Sequence, residues 1–297
     1  MKINLNLKWA LVLSGGGAKG LAHVGVIRAL DSLGFPPPSF IAGTSMGAIV
    51  GGLYACGLSP GELSRFVLKE FDINDYLEGF AFRMNGPAGK LLKAGQILGN
   101  LATRSGIDSG RLIIELFERL TGGKKFSETS IPFRCNAVDL VSGEEVIFDS
   151  GSVAKAMRAS MSFPAFFEPF ADGEHCYADG GLAHNLPVFI ARKAGWKRVL
   201  AVDVVHFRRL PAGELKSVPD VIYRSLESAL HLMQAKEGAG ASLTIHASDS
   251  TSPLDFEKKE NLIRLGERAV LNNEKMVRSF FSPSFLHRGK RECGITQ

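Results

Sequence analysis

Gly43-Thr44-Ser45-Met46-Gly47 is the first stretch with chemical content. A G-x-S-x-G sequence between a strand and a helix makes a sharp turn, in which the glycines relieve crowding and leave the serine hydroxyl exposed at the helix N-terminus. Ser45 is therefore a candidate nucleophile. A serine used this way needs donors for a developing oxyanion and a base for its proton.

Donors are offered by Ser14-Gly15-Gly16-Gly17-Ala18-Lys19-Gly20. Gly15, Gly17 and Gly20 also spell G-x-G-x-x-G, so a dinucleotide site has to be weighed. That fold needs an acidic residue about 20 residues beyond the loop, and no carboxylate occurs between Asp31 and Glu62. A phosphate loop needs Lys followed by Ser or Thr, whereas Lys19 is followed by Gly20 and Leu21. Both nucleotide readings lack their second element. The backbone amides of Gly15, Gly16 and Gly17 are better suited to an oxyanion, since no side chain blocks a substrate's approach. Lys19 is expected to be a solvated residue of the first helical turn.

The base is less plain. None of the seven histidines carries a motif; His184 is the best placed, five residues after Asp179. Asp179-Gly180-Gly181 offers a carboxylate at a strand end, with a turn tight enough to aim it at Ser45, although Asp-Gly-Gly is equally a common turn. Spacing alone leaves these alternatives open.

The elements that must position these groups alternate between apolar strands and amphipathic helices. Strands are expected at 9–14, 39–42, "FRCNAVDL", "EEVIFDS", "HCYADGG", "RVLAVDVV" and "SLTIHA". Helices are expected at 21–33, 48–56, "VAKAMRAS", 187–194, 220–234 and, as one long piece, 256–280. The fold class implied is α/β, a mostly parallel sheet covered on both faces. Residues 59–130 read as a helical cap or lid inserted into one domain spanning 1–297, with 206–297 as its C-terminal extension. Apolar residues after Ser45 and in "SFPAFFEPF" are candidates for an acyl-chain channel as well as for core, and Pro164 and Pro169 imply a fixed turn there.

The composition is that of a globular protein: 297 residues, 45% hydrophobic and 22% charged, with a net charge of +5. Four cysteines, Cys56, Cys135, Cys176 and Cys293, form no C-x-x-C pair, so neither a metal site nor a disulfide framework is suggested. No secretory h-region or membrane span is visible, which makes a cytoplasmic protein, peripheral on a membrane face, the expectation. The densest basic point is the tail "HRGKRE", with Arg288, Lys290 and Arg291.

Taken together, "LVLSGGGAKGLAHVGVIRAL", "GTSMG" and "YADGGLAHNLPV" resemble the patatin-like phospholipase family, and the resemblance extends through "FRCNAVDLVSGEEVIF" and "AMRASMSFPAFFEPF". It implies a three-layer α/β/α fold and a Ser-Asp dyad on Ser45 and Asp179. The oxyanion loop falls on Gly15, Gly16 and Gly17, supported by Gly20, Gly43, Gly47, Gly180 and Gly181. It implies no metal or cofactor, a phospholipid or other fatty-acyl ester as substrate, contact with a membrane surface, and no nucleic acid. His184 departs from the asparagine common at that position, while Asn185 and Pro187 match the family pattern. The implied chemistry is acylation of Ser45 with Asp179 as base, then hydrolysis, giving an acidic activity limb without the near-neutral limb of a histidine. A non-catalytic lipid- or protein-binding member of the same fold is the alternative.

Overall fold

The computed structural model describes residues 4–78, 105–205, 207, 209–216, 218–237, 240–283, 285 and 292–296. The first half runs β1 (Ala10–Leu13), α1 (Ala22–Ser32), β2 (Phe40–Gly43), α2 (Met46–Ala55), α3 (Pro60–Arg65), β3 (Gly106–Asp108), α4 (Arg111–Thr121), β4 (Phe133–Asp139) and β5 (Glu144–Phe148). Then come α5 (Val153–Ser160), β6 (Ala165–Phe167), β7 (Phe170–Asp172), β8 (His175–Asp179), α6 (Val188–Lys193) and β9 (Val199–Asp203). The chain continues through α7 (Val218–Glu237), β10 (Leu243–Ser248), α8 (Lys259–Leu271), α9 (Glu274–Phe280) and β11 (Glu292–Thr296).

Among the described residues the main sheet has the order β11-β10-β9-β1-β2-β4-β8-β7, with β5 on the other edge of β4. From β11 to β4 all neighbours are parallel, whereas β5, β7 and β8 pair antiparallel. Side chains alternate between the faces of a strand, and β1 is buried on both. Leu11 and Leu13 join the larger core under α1, α2 and α8, while Ala10 and Val12 join a second core with Leu186 and with Val188 and Ile190 of α6. This is the expected three-layer α/β arrangement. The C-terminal third adds β10 and β11 to the same sheet, and α8 packs across α1 where Gly25 and Gly266 let the backbones approach.

Several expectations are corrected. The final helix is two, α8 and α9, because the amides of Asn272 and Asn273 close the end of α8 and the Asn273 side chain caps the Ala269 carbonyl at 3.0 Å. The turn around Pro164 and Pro169 contains two short strands, β6 pairing with β3 and β7 pairing with β8. Three-residue strands carry too little periodicity to be seen in sequence. Lys19 is buried, because the 3-10 turn Gly17–Leu21 that opens the first helical segment is itself interior. Residues 79–104 of the expected cap, and Arg288, Lys290 and Arg291 of the basic tail, lie outside the described residues. No helix among the described residues is long and apolar enough to cross a membrane.

Candidate active site

Strand register brings the serine and the aspartate together. One edge of β4 pairs first with β2, where Gly43 stands opposite Cys135, and then with β8, where Asp179 stands opposite Ala137. The parallel strand and the antiparallel strand therefore end almost head to head on the same edge. Ser45 leaves the end of β2 and Asp179 closes β8, so residues far apart in sequence meet across two positions of β4.

Ser45 sits at φ 53°, ψ −121°, and is the one non-glycine residue with positive φ among the described residues. Such a backbone costs about 1–3 kcal/mol and persists only where its surroundings over-determine it. Here they do. The Ser45 amide donates to Ser160 Oγ at 2.9 Å, and Thr44 Oγ1 lies 2.7 Å from Asn136 Oδ1. The flanking glycines are required by space: a Cβ on Gly43 would overlap the Gly47 backbone, and one on Gly47 would overlap the Leu13 carbonyl at the end of β1.

Asp179 is 2% exposed. Its carboxylate accepts the Gly181 amide at 2.7 Å and shares the cavity with Ser45. Burial raises its pKa from the usual carboxylate range to about 6, against the opposing pull of the Ser45 hydroxyl and the Gly181 amide. Gly180 abuts Asn136, whose side-chain amide lies 3.1 Å from the Gly180 carbonyl and 2.8 Å from Glu145 Oε1. Asn136 is fully buried and thus touches both the residue before Ser45 and the residue after Asp179. Ser160 and Asn136 have no role in the sequence reading. The only trace of Ser160 is its place in "AMRASMSFPAFFEPF", whose next serine, Ser162, accepts the Asp179 amide through its carbonyl at 3.0 Å.

The three loop glycines divide. Gly15 packs against Ser45 and Asn185, and its amide donates to the Asn185 carbonyl at 3.0 Å. Gly16 and Gly17, at φ 156° and 57°, line the cavity that also holds Ser45 and Asp179. Gly20 lies against the Met46 side chain, with no room for a Cβ. The cavity, about 370 Å³, is overwhelmingly apolar. Its walls come from α2, from residues 63–73, from α4 and from Met161 through Phe167, so the suspected channel residues do line a space beside Ser45.

Histidines stand elsewhere. His184 Nδ1 pairs with Glu145 Oε2 at 2.8 Å and its ring leans on Phe189. His23 is buried with Nε2 2.8 Å from the Ser14 carbonyl, and desolvation lowers its pKa to about 4. His175 pairs with Asp139, and His246 lies between Asp203 and Glu292. His231 stacks on Phe207 in the cavity wall. No histidine among the described residues hydrogen-bonds Ser45; His206 and His287 lie outside them.

Comparison with known proteins bears on family and fold. The profile of the patatin-like phospholipase family matches residues 11–192. Lysophospholipase NTE1 of Yarrowia lipolytica is 33% identical over 196 residues, covering 65% of this chain and 12% of that protein. Patatin-like phospholipase domain-containing protein 7 of Mus musculus is 31% identical over 197 residues, covering 66% of this chain and 13% of that protein. The chain thus spans about an eighth of the length of these relatives. Among solved structures, VipD from Legionella pneumophila superposes with a TM-score of 0.52 at 17% identity, over 91% of this chain and 67% of VipD, which supports the fold. With the matched profile covering β1 through most of α6, and the serine elbow, glycine loop and Asp-Gly-Gly turn all inside it, the chain belongs to the patatin-like phospholipase family.

Proposed function

We propose that this protein is a lipid acyl hydrolase, a phospholipase A or lysophospholipase-type esterase, working through an acyl-Ser45 intermediate. The observation that carries the reading is that Ser45, on its strained turn, and the buried carboxylate of Asp179 stand together at one apolar cavity. Asp179 takes the serine proton as Ser45 attacks the ester carbonyl and passes it to the alcohol as the C–O ester bond breaks, leaving acyl-Ser45; it then takes a proton from the water that attacks this acyl group and returns it to Ser45 Oγ as the fatty acid leaves. Gly16 and Gly17 supply the oxyanion amides. Gly15, its own amide committed to Asn185, serves as the spacer that lets the loop lie against Ser45. Each oxyanion donor of this kind is worth about 10²–10³ in rate.

Residues 59–130 act as a cap within a single domain, a reading supported by the cavity walls that Leu63, Phe66, Ile107 and Phe117 contribute. A membrane face is supported by α7, where Leu230 and His231 line the cavity while Ile222 and Leu232 stand 65% and 68% exposed. The test is fatty-acid release from lysophospholipid and diacyl phospholipid vesicles. Release by the wild type, abolished in Ser45→Ala and reduced at least about 10³-fold in Asp179→Asn, supports the mechanism. Replacing Ile222 and Leu232 by Glu should depress vesicle hydrolysis more than that of a water-soluble ester. Vesicle binding without release, unchanged in Ser45→Ala, would favour the non-catalytic lipid-binding alternative.

A further inference from the structure

Helix α2 is apolar on two faces that do different things. On one, Gly51 and Gly52 lie against Ile41, Phe133 and Met157, so the helix beds closely onto the sheet. On the other, Met46, Ile49, Val50 and Leu53 recur at the spacing of one helical stripe and line the cavity. Because Ser45 caps this helix, position along the stripe is distance from the nucleophile. At 1.5 Å per residue, Leu53 lies about 12 Å down the axis from Ser45. It is the last residue of α2 on the cavity wall, and Leu63 of α3 lines the same cavity. Both are buried, at 3% and 1% exposure.

We infer that Leu53 is the floor of an acyl-chain ruler, so that this side chain sets the length of acyl group the site prefers; the inference rests on Ser45 being the residue that accepts the acyl group. An extended chain of single bonds advances about 1.2 Å per bond, so a chain laid along α2 meets Leu53 near its tenth carbon. On this ruler, carbons beyond that displace Leu53 or turn away from the helix. Trimming the floor deepens the ruler, and enlarging it shortens the ruler.

The experiment is kcat/KM for p-nitrophenyl butanoate, octanoate, decanoate, dodecanoate and hexadecanoate in wild type, Leu53→Ala and Leu53→Phe. Ratios between esters are taken within each variant, so a loss of folded protein cancels. The wild type should peak near decanoate. Leu53→Ala should move the peak at least two carbons longer and raise the hexadecanoate-to-octanoate ratio by about tenfold, and Leu53→Phe should move the peak the other way. Leu53→Val, gentler on the core, should shift in the Ala direction by less. One chain-length profile shared by every variant, or a wild-type rate that climbs steadily to hexadecanoate, would overturn the ruler while leaving Ser45 as the acyl acceptor. No ester hydrolysis by the wild type, with no phosphonylation of Ser45, would overturn both.

Discussion

Asp179 is held under two opposing influences. Desolvation disfavours its charge, and the Ser45 hydroxyl and Gly181 amide favour it; burial prevails and the pKa settles near 6. A carboxyl that binds its proton more tightly folded than unfolded makes the folded state less stable as pH rises between the two values. For Asp179 that window runs from 3.8 to about 6. Asp179→Asn keeps an oxygen for the same two donors and removes the buried charge. Thermal or urea unfolding should therefore find the variant more stable by up to roughly 3 kcal/mol above pH 6, the difference vanishing below about pH 4. An equal stability difference at every pH would contradict this. His23 acts oppositely: its depressed pKa costs stability as pH falls from 6.5 towards about 4, and it cancels when the two proteins are compared at one pH. The sequence marks Ser45 through the small residues its turn requires at fixed offsets, whereas spacing leaves Asp179 open between a base and a common turn, and only the family resemblance points to it. The sequence did not carry the proton affinity of Asp179, which depends on what the rest of the fold excludes from it.

At the scale of elements, α5 does more than cover the sheet. Its last residue, Ser160, accepts the Ser45 amide, and Ser162, just beyond, holds the Asp179 amide and takes a 2.6 Å hydrogen bond from Arg158. One helix end thereby holds the backbones of both Ser45 and Asp179, the residues of the proposed dyad. Ser160→Ala leaves the Ser45 amide without its acceptor and its strained backbone less constrained. A buried donor left unsatisfied costs about 1–3 kcal/mol, so kcat should fall about tenfold or more with KM little changed. A rise in KM alone would remove Ser160 from the positioning of Ser45. Such support was illegible in sequence, because a serine at a helix end reads as an ordinary boundary. The long strands and helices were legible through period alone. The break at Asn272-Asn273 and the short strands β3, β6 and β7 were not, since local hydrogen bonds and distant pairing decide them.

For the whole molecule, the order of the sheet is what brings the two residues of the proposed dyad together. β1 and β2 lie side by side and deliver the glycine loop and Ser45 to one end, and antiparallel β8 delivers Asp179 to the same place. The histidines among the described residues make other contacts, His184 with Glu145 among them. In the proposed mechanism Asp179 sets the activity limb, and burial is expected to lift that limb to about pH 6, above the ordinary carboxylate range that sequence alone suggests. A limb there overlaps the range of a histidine, so its position must be read together with variants. The most direct test is the rate of phosphonylation of Ser45 by a fluorophosphonate as a function of pH, in wild type, His184→Ala and Asp179→Asn. The account predicts a rate that rises with pH through a single limb near 6, the same limb in His184→Ala, and little labelling in Asp179→Asn. A limb that moves or disappears in His184→Ala, or labelling that survives in Asp179→Asn, would contradict the Ser45–Asp179 dyad.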